Sequence, residues 1–216
     1  NSRKNSVIEE KTRVSDKFSL TQLDLIKEIG TIGAANAATA LADLIATRVE
    51  IAVPEVSLIP LEHIYKLLGE MDRLFFVLDM EIKGDMLGRI FLLFSPEDAK
   101  LLSSSLLGKP KEEIDFNDDL FQSSLKESAN ILGGSYISAL AEMCHISILT
   151  SIPSLAMDMV GAILDFIFIQ IAQYSEEAIF IKTQMQVKGL NLEGLFLFFP
   201  STESLLKVFE LLGLKE

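Results

Sequence analysis

The strongest constraint on how this chain can fold is an internal near-repetition. Ser123, Glu127 and Asn130 follow one another in steps of four and three residues, and 99 residues earlier Asp24, Glu28 and Thr31 do the same. Such steps bring side chains into register on one face of an α-helix, so each stretch presents a carboxylate beside small polar groups. Pro54 stands 23 residues after Thr31, and Pro153 stands 23 residues after Asn130. A spacing held across two halves points to duplication of one structural unit.

The elements between these markers recur in the same order. A long helix is expected from Ser19 or Thr21, both able to cap it, towards Thr47, with Leu23, Ile26, Gly30, Gly33, Ala37 and Leu41 at helical spacing. Residues 49–59 read as extended around Pro54, a short helix is expected over 61–68, and residues 74–82 and 87–94 read as a β-hairpin. A helix over 97–107, ended by Gly108, closes the first half. In the second half, Asp118 or Asn117 can cap a helix over 119–142, and residues 146–152 with Pro153 mirror the extended segment. A longer helix is expected over 156–173, followed by strands over 178–187 and 192–199. Lys188 and Gly189 match Lys83 and Gly84 at an offset of 105 residues, as Phe196 to Phe199 match Phe91 to Phe94. On that count six extra residues enter after Pro153, in the enlarged helix.

The expected fold class is α+β: a pseudo-twofold duplicated unit whose paired hairpins form one antiparallel sheet flanked by long helices. Residues 1–19, with almost no apolar face, are expected as a mobile tail. Residues 20–216 are expected as one domain of two repeats, about 20–108 and 116–214.

Charge and composition remove several functions. A net charge of -12 opposes binding to a phosphate backbone or an anionic membrane surface, so nucleic acid is not an expected partner. The most apolar stretch, residues 157–172, is interrupted by Asp158, Asp165 and Gln170 and falls short of the roughly 20 residues of a bilayer span, so no membrane insertion is expected. Cys144 is the single cysteine, which permits no internal disulfide and fits a reducing, cytoplasmic setting. Cys144, His145 and the distant His63 are too few for a metal site, and none is expected.

With these residues in place, the chain resembles the CheC, CheX and FliY family of bacterial chemotaxis phosphatases, and its CheC-type members most closely. The family pattern is Asp or Ser, three residues, Glu, two residues, Asn, 22 residues, Pro. Ser123, Glu127, Asn130 and Pro153 satisfy all of it, whereas in Asp24, Glu28, Thr31 and Pro54 a threonine replaces the amide. The phrases Glu28-Ile29-Gly30, residues 36–41 and residues 157–165 are also similar to CheC.

The resemblance implies a phosphatase acting on the aspartyl phosphate of the response regulator CheY. Asn130 is then the residue that orients water and Glu127 the one that pairs with the regulator's lysine, the two forming the catalytic pair. Ser123 and Asp24 are implied as site support, and Glu28 with Thr31 as a second, degenerate site. The family also implies CheD, the receptor deamidase, as a partner, with Asp158 as the candidate contact. No cofactor of the chain's own is expected; magnesium belongs to the regulator. The alternative is a non-enzymatic adaptor that sequesters phospho-CheY or CheD.

Overall fold

The computed structural model describes residues 19–60, 63–171, 177–187 and 189–214. The expected tail lies outside the described residues, apart from Ser19. Two helices of 26 residues dominate: α1 over Leu20–Ile45 and, separated by 99 residues at both ends, α4 over Asp119–Cys144.

Local chemistry sets both starts. Ser19 Oγ accepts the Gln22 N–H while Gln22 Oε1 accepts the Ser19 N–H at 2.7 Å, a reciprocal cap that satisfies two otherwise orphaned donors. Asp118 Oδ1 accepts the Leu120 N–H at 2.9 Å and caps α4. Both helices end on a left-handed residue that is not glycine, Ala46 and His145, again 99 residues apart.

The remaining elements are β1 (Val49–Pro60), α2 (Tyr65–Leu68), β2 (Leu74–Gly84), β3 (Gly88–Phe94) and α3 (Pro96–Leu107) in the first half. The second half adds β4 (Ile148–Thr150), β5 (Ser154–Met159), α5 (Val160–Ile171), β6 (Glu177–Val187), β7 (Leu190–Pro200) and α6 (Thr202–Leu211). They form one antiparallel sheet in the order β1-β6-β7-β3-β2-β4, with β5 also on β2. The two hairpins meet through β3 and β7, Gly88 opposite Pro200 and Leu93 opposite Leu195. Each half lends its proline-marked segment to the other half: β1 pairs with β6, while β4 and β5 pair with β2.

Alternation along the strands divides the core in two. Phe76, Leu78, Met80 and Ile82 of β2 face α1, α3, α4 and α6, whereas Phe75 and Val77 face α2 and α5. This parity corrects the 105-residue match. Phe91 lies in the α5-side core and Phe196 in the core beneath the long helices, so between β3 and β7 an odd offset puts a side chain on the opposite face. Leu92 and Phe196, 104 residues apart, do share the core beneath the long helices, while the first strands, Leu74–Gly84 and Glu177–Val187, match at 103, so no single offset relates the two hairpins.

Two helix expectations are also corrected. The expected short helix over 61–68 is helical only over Tyr65–Leu68, with 61–62 outside the described residues. The helix expected over 156–173 begins at Val160, because residues 154–159 pair with β2; residues 172–173 lie outside the described residues.

Candidate functional site

On α1 the buried stripe runs through Ile26, Ile29, Gly30, Gly33, Ala37 and Leu41, which leaves Asp24, Glu28 and Thr31 on the solvent face. On α4 the stripe of Leu125, Ala129, Leu132, Tyr136 and Leu140 leaves Ser123, Glu127 and Asn130 exposed in the same way. The structure therefore brings each triad together on one helix face.

The helices cross where Gly33 meets Tyr136. A Cβ on Gly33 would stand 2.6 Å from Tyr136 Cδ1 and 2.7 Å from its Cα, so only glycine allows this approach. Behind the crossing, a cavity of about 40 Å³ is lined by Leu25, Ile26, Ile29 and Gly30 of α1 together with Ile137 and Leu140 of α4. Moving back along α1 thus moves forward along α4, and the helices run antiparallel. The two triads lie on either side of the crossing. Tyr136 also ties the pair to the sheet, its hydroxyl 3.2 Å from Thr183 Oγ1. Burial pushes the Tyr136 phenol above its ordinary range, with the Thr183 hydrogen bond acting in the opposite direction.

The distant prolines stand at register slips of the strands that flank the hairpins, and the first of them reaches its triad. Register slips by one residue between Ala52 and Glu55, around Pro54, and again between Thr150 and Ser154, around Pro153. A bulge re-aims neighbouring side chains. Val53 and Val56, on either side of Pro54, each stand 3.8 Å from where a Cβ on Gly30 would be, directly beneath the turn carrying Glu28 and Thr31.

The two copies differ in one polar detail. Thr31 Oγ1 donates to the Lys27 carbonyl at 2.9 Å, so its hydroxyl proton is spent on its own helix. Among the described residues, no hydrogen bond or ion pair engages the side chains of Ser123, Glu127, Asn130, Asp24 or Glu28. An unengaged carboxylate and amide one turn apart can accept a cation and orient water.

Two residues outside the quoted pattern share these faces. Lys27 and Lys126, directly before the two glutamates, are exposed. The 99-residue correspondence is the sequence signal that finds them.

Asp158 is not on a helix. It lies exposed on β5 opposite Phe75, and its Oδ1 accepts the Met159 N–H at 2.8 Å. It adjoins α5, whose inner face buries Val160, Ile163, Leu164 and Ile167, with Phe166 packed edge-on against Phe91, while Phe168 and Ile169 remain exposed. Among the described residues, no group of three or more His, Cys, Asp or Glu is placed to hold a metal, and no helix is long and apolar enough to cross a membrane.

The comparisons agree with this architecture. A model of the CheC-like family matches residues 22–58, the span from the first triad through Pro54. The CheY-P phosphatase CheC of Bacillus subtilis is 29% identical over 196 residues, covering 89% of this chain and 94% of that protein. FliY of Thermotoga maritima shares the fold with a TM-score of 0.73 at 22% identity, covering 93% of this chain and 100% of that one. The FliM middle domain of H. pylori does so at 0.61 and 17%, covering 88% and 99%. The chain is thus similar to CheC-like proteins over residues 22–58 and has the fold that FliY and the FliM middle domain also use.

Proposed function

We propose that this chain hydrolyses the aspartyl phosphate of the response regulator CheY in bacterial chemotaxis, as the name of its B. subtilis relative states for that protein. The observation that carries this reading is the α4 face, where Glu127 and Asn130 are exposed together with no partner within the described chain. An aspartyl phosphate is an activated acyl phosphate, so its hydrolysis needs a placed water more than a new nucleophile. The Asn130 amide orients that water in line with phosphorus, Glu127 pairs with the regulator's lysine, and Ser123 supports the face one turn earlier. Magnesium is supplied by the regulator. The reaction belongs to the cytoplasm, where CheY works.

The α1 face contributes docking through Glu28 and Asp24 but little turnover, because Thr31 is shorter than asparagine and its proton is held by the Lys27 carbonyl. That detail favours a second reading at this copy alone, an adaptor that holds phospho-CheY without hydrolysing it. CheD binds at the junction of β5 and α5, with Asp158 and the exposed Phe168 and Ile169 as contacts; Asp158→Lys is expected to weaken CheD binding.

Phosphate release from phospho-CheY tests the assignment. Asn130→Ala is expected to lower the rate on the order of 100-fold, the scale seen when a positioned group is lost, and Thr31→Ala to leave it nearly unchanged. Full activity in Asn130→Ala sinks the proposal.

A further inference from the structure

Lys126 is the only basic residue of α4, and Lys27 is the only one of α1. They hold the same repeat position, four residues before Asn130 and Thr31 respectively. The fold makes no use of either. Both side chains are exposed, and neither ammonium forms a hydrogen bond or ion pair among the described residues. The residues one turn from Lys126 are Gln122, Ser123, Ala129 and Asn130, none acidic, so no intrahelical ion pair is available to it. A cation in the first half of a helix also gains nothing from the helix dipole.

What Lys126 has is a place beside the working amide. Residues four apart on a helix have Cβ atoms about 5–6 Å apart, so Lys126 flanks Asn130 on one side while Glu127, three residues away, flanks it on the other. The group this face has to approach is an anion, and a chain of net charge -12 repels it. We propose that the Lys126 ammonium contacts the anionic, phosphoryl-bearing side of the regulator's site while Glu127 contacts its cationic side. Two opposite charges on adjacent residues then fix the register in which Asn130 enters. This rests on the phosphatase reading above. Lys27 keeps the same polarity in the copy that lacks the amide, which separates docking from turnover.

The test is steady-state phosphate release from the phosphorylated regulator by the full chain, comparing wild type with Lys126→Ala, Lys126→Glu and Lys126→Arg at low and high salt. Binding of the beryllofluoride-activated regulator is measured alongside. Lys126→Glu is expected to lower kcat/KM on the order of tenfold at low salt, Lys126→Ala less, and Lys126→Arg hardly at all. The effect should fall mainly on KM, and the gap should close as salt rises, because exposed charges are screened over about 8 Å at physiological ionic strength. Unchanged kcat/KM in Lys126→Glu at low salt overturns the proposal, as does a loss that arginine does not restore and salt does not reduce. Should wild type bind the activated regulator without releasing phosphate, the phosphatase reading fails and binding alone decides: weaker binding by Lys126→Glu supports the contact, unchanged binding overturns it.

Discussion

Gly30 and Gly33 stand one turn apart on α1, yet a side chain would meet different surroundings at each. At Gly30 a Cβ finds Ile181, Val53 and Val56 each at 3.8 Å, ordinary contact beside a small cavity. Gly30→Ala is expected to raise stability by about 1 kcal/mol through helix propensity, read as a higher denaturation midpoint. Gly33→Ala is expected to cost about 1–3 kcal/mol, because Tyr136 main chain must retreat. Thr31→Asn in an Asn130→Ala background is expected to restore phosphate release; no recovery means that the α1 face lacks more than the amide. Cys144 is buried and its thiol is pushed up by that burial, so native protein should react with a thiol reagent only slowly, and fast reaction would contradict the burial.

At the scale of elements, most of what the sequence announces is local chemistry. Ser19, Gln22 and Asp118 mark helix starts because their side chains are the right length to reach backbone N–H groups nearby. Ser19→Ala should cost about 1 kcal/mol, measured by thermal melting. The helix ends were harder to read, since Ala46 and His145 take the left-handed conformation usually left to glycine or asparagine. The expected helix over 156–173 failed at its beginning for a tertiary reason. β2 offers residues 154–159 backbone partners from Leu74 to Asp79, and pairing wins.

For the whole molecule, the exchange of edge strands decides how the halves depend on each other. β1 completes the second hairpin and β4 with β5 completes the first, so in neither half alone do all strands find their partners. Unfolding in denaturant should therefore follow one cooperative transition, and residues 20–108 expressed alone should lack a stable fold by circular dichroism. Two separate transitions would show that the halves are independent.

The sequence by itself determined the duplication, the two long helices, the hairpins and the exposed acid–amide face, because these rest on periodicity, capping and residue type. Only the tertiary structure decided how the strands of the two hairpins correspond, since strand parity depends on which face meets the helices, and no residue spacing records that. It likewise placed the Pro54 bulge beneath the site turn of α1, set the antiparallel crossing at Gly33 and Tyr136, and showed Thr31 bonded to its own helix. Those are contacts between residues far apart in the chain or geometries of a single hydroxyl, and the packing of the folded molecule fixes them.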